Sequence, residues 1–340
     1  MPLLSPAGDA AIVSWALWLM DALAAEEEDL LMSPLGSPED RSLPLFAYGS
    51  LKPGELAFGL IDPLVSRHVQ ASASGAIRLR DGLPLFDPSA AELAARGSLL
   101  FFHAGKADEA WQTVADFEPS TQYKWATTDA MSEDGPVKAN VLAGVKLNRG
   151  VSGDAVLEWS AGHDPVLGEG LAEVRRLVIE AAPQGVEAQP DSPQFWRLFF
   201  RLQASYLLLW SVIERYTALR YGPALEPGDR VGRLGKDPTF QAALKSVGAR
   251  PDSVVDSRNP TNRINLGPDG IGGARYYYAV RSNLSHRGKG AFRDARLVLR
   301  AVVGLHDAML ELLDRHVSIP EGSRPGEVRL RNLLPPDALA

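Results

Sequence analysis

The spacing of apolar residues changes character along this chain. From Phe195 to Gly222 the stretch FWRLFFRLQASYLLLWSVIERYTALRYG keeps apolar residues at helical spacing for roughly seven turns at 3.6 residues per turn. It is apolar on more than one side until Glu214, which predicts a helix central to a bundle. TFQAALKSVGA, GGARYYYAVRSNLSHRG and FRDARLVLRAVVGLHDAMLELLDRH predict three more helices. Four helices, with a long irregular stretch between the second and third, fit a small bundle. Between Leu45 and about Leu147 the pattern is different. Short apolar runs such as LPLFAYG, GSLLFFHAG and VKANVLAGVKL are broken by glycine and proline and predict strands, with short helices such as ADEAWQTVADF between them. An amphipathic helix over residues 8–29 and the Ser/Pro/Gly-rich SPLGSPEDRSLP precede this region. DPVLGEGLAEVRRLVIEAA reads as a helix, PQGVEAQPDSP as an interdomain linker, and the Pro-rich tail from Ser318 as loosely ordered.

These patterns divide the chain into an N-terminal helix and linker (1–43), a β-rich domain (44–181), a linker (182–190), a helical domain (191–316) and a tail (317–340). The expected fold class is α+β. A chain of 340 residues is long enough for about two domains. With 45% apolar and 23% charged residues, its composition is that of a soluble globular protein. No apolar run reaches the roughly 20 residues of a membrane span. No positive residue precedes the first apolar stretch, which argues against a signal peptide. The absence of cysteine excludes disulfides, thiol nucleophiles and thiolate zinc sites, and suits a cytoplasmic location.

Charge sharpens the division. Residues 1–190 carry 13 Lys and Arg against 27 Asp and Glu, a net of −14, whereas residues 191–316 carry 19 against 12, a net of +7. A basic second half can hold phosphates through a Coulomb attraction that is indifferent to sequence. An uneven scatter of solvated charges is the plainer alternative.

Two stretches carry candidate chemistry. In LPLFAYGSLKPGELAFG an apolar strand runs into Tyr48-Gly49-Ser50-Leu51. Glycine after a strand lets the backbone approach a ligand, and successive amides there can form an anion-binding nest. Downstream, WQTVADFEPSTQYKWATTDA places Trp111, Phe117, Glu118, Tyr123 and Lys124 in order. Together these stretches, with EWSAGHDPVLGEGLAEV, resemble the gamma-glutamylcyclotransferase-like family over about residues 45–180. The resemblance implies a small β-barrel with flanking helices and a pocket between the Tyr48–Leu51 loop and a catalytic Glu118. Tyr123 would line it, and a gamma-glutamyl-type small molecule would be its ligand. Three positions depart from the family's pattern: Pro119 stands for glycine, Lys124 for arginine, and Ala115 for an acidic residue. They leave the choice of substrate open.

The second stretch is RSNLSHRGKG. Arg281 and His286 are five residues apart, about 140° around an ideal helix and about 7.5 Å along it. Gly288 and Gly290 place His286 in the last turn. A symmetry-related helix could bring both side chains onto one cleft; alternatively Arg281 is a surface charge and His286 a C-cap. R-x4-H at the end of the third helix of a basic bundle resembles the HEPN superfamily over about residues 191–316. The resemblance implies a metal-independent ribonuclease acting as a homodimer. His286 would serve as base and Arg281 as phosphate ligand, with Ser282 and Asn283 as the polar part of the motif. Arg287, Lys289, Arg293 and Arg296 would track an RNA or nucleotide backbone. His68, His103, His163, His306 and His316 form no i, i+4 pair, so neither a metal nor a cofactor is expected.

Two functions therefore stand open. One is an RNA-cleaving helical domain fused to a domain that binds or cyclises a gamma-glutamyl-type ligand, in a defence or stress setting suggested by analogy. The other is a cyclotransferase forming 5-oxoproline, with a helical domain that only binds nucleotide or dimerises.

Overall fold

The computed structural model describes residues 35–185, 192–223, 225–256, 259–267, 272–286, 295–316 and 329–335. The helix expected over residues 8–29 lies outside them. The fold is α+β. Its first half holds eight strands: β1 (Leu45–Ala47), β2 (Val65–Ser74), β3 (Ala76–Arg80), β4 (Leu83–Asp87), β5 (Ala94–Phe102), β6 (Tyr123–Ser132), β7 (Gly135–Gly144) and β8 (Val151–Val156). Five of them close into a barrel in the order β1-β5-β2-β6-β7, sealed by a parallel β1–β7 contact at Leu45 and Asn140. Closure removes the sheet edges that would otherwise be left unpaired. Strands β4, β3 and β8 continue outward from β7.

Local sequence explains the tight joints. Between β3 and β4 the loop is Asp81-Gly82, with φ of 50° and 81°. Two positive φ values are the requirement of a two-residue hairpin turn, which Asp-Gly meets at little steric cost. Gly97 in β5 serves a different purpose, because a Cβ there would lie 2.5 Å from the Ala47 carbonyl and 2.9 Å from the Phe46 ring. We expect Gly97→Ala to lower stability by about 1–3 kcal/mol through overpacking, read as a shift in the urea midpoint at unchanged m.

Nine α-helices occur among the described residues: α1 (Phe58–Ile61), α2 (Ala107–Phe117), α3 (Pro165–Gly185), α4 (Pro193–Tyr221), α5 (Pro227–Lys236), α6 (Pro238–Ser246), α7 (Gly273–His286), α8 (Ala295–His316) and α9 (Leu330–Leu333). None is long and apolar enough to cross a membrane. Helix α2 covers the barrel with Ala110, Trp111, Val114 and Phe117, all buried. Helix α3 turns Leu167, Leu171, Val174, Val178 and Ala181 inward at alternating steps of four and three, the stripe expected of a helix with one buried face. Helix α4 begins cleanly, with Pro193 in its first turn and the Ser192 hydroxyl accepting from the Phe195 amide at 3.1 Å. It ends at Gly222, whose φ is 104°.

One apolar core runs from the barrel (Phe46, Phe86, Val141) through α3 and into α4 and α8 (Leu202, Tyr206, Val302, Met309). Polar ties join the same parts. Arg215 of α4 donates through Nε to Asp164 at 2.6 Å and through Nη2 to the Asp81 carbonyl. Arg220 donates to the Leu56 carbonyl at 2.9 Å and to Asp237 at 2.7 Å.

Two expectations need correction. The stretch read as irregular between the second and third helices contains an antiparallel pair, β9 (Asp252–Asp256) with β10 (Asn259–Leu266), and a further helix, α5, stands between the first and second. The pair's apolar residues are few and interrupted by Asn, Arg and Pro, so the alternation of Val254 and Leu266 into the core was hidden. The tail expected to be loosely ordered holds α9, whose start is fixed where the Leu330 amide donates to buried Asp307 at 2.7 Å.

Candidate functional site

The barrel's first strand ends beside a cavity of about 90 Å³, walled by Tyr48, Gly49, Ser50, Leu51, Glu118 and Tyr123. The two stretches singled out in the first half of the sequence thus share one cavity. Its far wall is unexpected, because Arg215, Ala218, Leu219 and Pro223 come from α4 and the residues just after it.

Each side chain is held by its local structure. Glu118 caps α2, with extended backbone (φ −98°, ψ 126°) and its amide donating to the Val114 carbonyl at 3.0 Å. The next residue is Pro119, and a residue before proline is pushed out of the helical region. Proline therefore stops α2 and sets the extended backbone of Glu118. The Pro119 carbonyl then accepts from the Gln122 and Tyr123 amides at 3.0 and 3.1 Å, turning the chain into β6. On the opposite side, Lys52 N–H donates to the Gly49 carbonyl at 2.9 Å and Ala57 N–H to the Ser50 carbonyl at 3.0 Å. Gly49, Ser50 and Leu51 line the cavity on this side, where successive backbone amides can form an anion-binding nest.

The phenols have fixed partners. Tyr48 donates to the Leu142 carbonyl at 2.5 Å and accepts from the Phe86 amide at 3.1 Å. Tyr123 donates to the Pro84 carbonyl at 2.9 Å. Burial, then the nearby Glu118 carboxyl, pushes both phenols above their ordinary range, so neither is a base. Burial pushes Glu118 up to about 8. Glu118 keeps some accessible surface and lines the cavity. A carboxyl that titrates near neutrality is suited to accept and return a proton. Gln122 lines the same cavity, and its Oε1 atom is buried without a hydrogen-bond partner.

No protein-family model matches the chain, and no curated protein or solved structure matches it. The resemblances therefore rest on the residues themselves.

The second group of candidates is placed differently. Helix α7 carries Arg281 on a partly exposed face and ends at His286. Ser282 is buried, and Asn283 donates to the Val255 carbonyl at 2.8 Å, so the polar part of the motif packs against α7's own neighbours. Arg287, Lys289 and Arg293 lie outside the described residues, while Arg296 is exposed on α8. Tyr276 and Tyr277 are buried and Tyr278 packs against Trp210, so this run belongs to the core. Among the described residues no three His, Asp or Glu side chains gather as a metal set.

Sequence reasoning missed Arg215 and Glu55. Glu55, in the turn after the Tyr48–Leu51 loop, accepts from the Ala161 amide at 3.0 Å, and burial pushes it up to about 7. Beside it Lys52 is buried and bonds Glu158 at 2.6 Å and the Trp159 carbonyl at 3.0 Å. These contacts fasten the loop to residues 158–161. Nothing local marks Arg215 or Glu55, since their partners lie 51 to 134 residues away in sequence.

Proposed function

We propose that the chain is a gamma-glutamylcyclotransferase-like enzyme that converts a gamma-glutamyl amide to 5-oxoproline and a free amine. The observation that carries this reading is the one cavity lined by Glu118 together with Gly49, Ser50 and Leu51. In the reaction, the substrate's α-amine attacks its own γ-carbonyl carbon. A lactam C–N bond forms, and the C–N bond to the leaving amine breaks. Glu118 takes the proton that the attacking nitrogen loses and delivers one to the departing nitrogen, so protons balance. The Gly49–Leu51 amides bind the oxygen on which charge develops, or the substrate's α-carboxylate. The small cavity folds the glutamyl chain toward its cyclising geometry. Incubating the protein with gamma-glutamyl amines and measuring 5-oxoproline tests this reading. No release from any gamma-glutamyl amine by well-folded protein would overturn it.

A second activity is proposed for the helical half, because α7 ends at His286 and so sets it in a final turn, as R-x4-H requires. There His286 would take the proton of a ribose 2′-hydroxyl while Arg281 binds the adjacent phosphate. RNA incubated without metal is expected to acquire cyclic-phosphate ends, lost in His286→Ala. A folded dimer that leaves RNA intact would sink this reading and leave the helices as a wall of the Glu118 cavity.

A further inference from the structure

A second cavity, of about 270 Å³, lies between α7, α8, the β9–β10 hairpin and α9. It is separate from the Glu118 site, and three arginines reach it: Arg250, Arg300 and Arg331. Their partners differ. Arg300 is neutralised by Asp252 through Nε at 3.0 Å and Nη2 at 2.9 Å. Asp252 also accepts from the Ser253 amide at 2.8 Å. Arg331 lies 3.5 Å from Asp307 through Nε, an atom that is buried without a hydrogen-bond partner. Arg250 is exposed and has no ion pair among the described residues. Asp252 on the lining and Asp307 beside Arg331 thus offset two of the three guanidinium charges.

The Tyr277 hydroxyl lies on this cavity beside Gly304, where a Cβ would come within 3.0 Å of it. Glycine at 304 keeps that hydroxyl open to the cavity. Arg250, Arg331 and Tyr277 thus line one cavity, two of them as cations. Leu266, Val303 and Leu334 supply apolar walls. A ligand that satisfies all of this has several acceptor oxygens pointing in different directions, negative charge and an organic body. A carboxylate presents two coplanar oxygens, whereas a phosphate presents three, matched to guanidinium forks.

We propose that this cavity is a binding site for a phosphomonoester of small-molecule size, held by Arg250 and Arg331 with the Tyr277 hydroxyl. The site is independent of the cyclisation chemistry.

Calorimetric titration of the full chain with adenosine 5′-monophosphate, inorganic phosphate and adenosine tests it. Saturable binding of the monophosphate is expected, with inorganic phosphate weaker and adenosine weaker still. Arg250→Ala, at an exposed position that leaves the core intact, should weaken the monophosphate by about tenfold or more, as loss of a charge-assisted contact does. Arg250→Lys should recover part of it, and Glu118→Gln should leave it unchanged. The proposal is overturned if adenosine binds as well as its monophosphate, if only inorganic phosphate binds, or if Arg250→Ala binds like wild type. Absence of binding by all three probes overturns it equally.

Discussion

Glu118→Gln is expected to lower 5-oxoproline release by about 10²–10⁴-fold, the usual contribution of a positioned acid–base group, with the protein still folded. The substitution keeps the shape of the side chain and removes only its ability to exchange a proton. Substrate affinity should change little, because the Gly49–Leu51 amides and the cavity walls remain. In the wild type kcat/KM should rise with pH through about 8, since burial holds Glu118 protonated up to that range and only the carboxylate accepts a proton. The same shift has a stability consequence with a definite sign. In the unfolded chain this carboxyl titrates near 4.5 and in the folded chain near 8. Between those values the native state holds a proton that the unfolded state has released, so wild-type stability falls as pH rises across the window. Glu118→Gln lacks that loss and should be the more stable protein at pH 8 and above. Denaturant titrations at pH 5 and 8.5 read the difference directly. A variant as active as wild type would remove Glu118 from the chemistry.

Arg215→Ala is expected to cost about 3–5 kcal/mol, the scale for stripping one partner from a buried ion pair. Its partner Asp164 is fully buried, and Arg215 itself is mostly so. Asp164 also accepts from the Val166 and Leu167 amides at 3.0 and 3.3 Å, which fixes the start of α3. Loss of Arg215 would additionally free the Asp81 carbonyl at the β3–β4 turn and remove one wall of the Glu118 cavity. Burial already raises Asp164 against the pull of Arg215. Without that cation it rises further, so the native state of the variant takes up a proton more readily. The variant's deficit should therefore shrink as pH falls, measured by urea midpoints at descending pH. A deficit independent of pH would mean that the packing of the Arg215 stem, and not its charge, matters most.

Much of this molecule was legible in one dimension. ADEAWQTVADF reads as a helix and is α2, because its apolar residues share one face and Pro119 stops it. The long helix α4 was equally plain, since few segments stay apolar on several sides over so many turns. The β-rich character of residues 45–147 followed from short apolar runs between glycines. The β9–β10 pair was not legible, because two short strands with few apolar residues give no strong period.

The candidate chemistry divides along the same line. The sequence by itself determined which residue types could act: an acid–base glutamate after a helix, and a glycine loop after a strand. It also set how each local segment presents them, because backbone preferences act over a few residues. Only the tertiary structure decided that Glu118 and Gly49 line one cavity and that α4 walls it with Arg215. It alone brought Arg250, Arg300 and Arg331 together at another. Such encounters depend on barrel closure and on the packing of helices far apart in sequence, and no local propensity records them. Burial likewise exists only after packing, and it is burial that moves Glu118 from an ordinary carboxylate to one that titrates near 8.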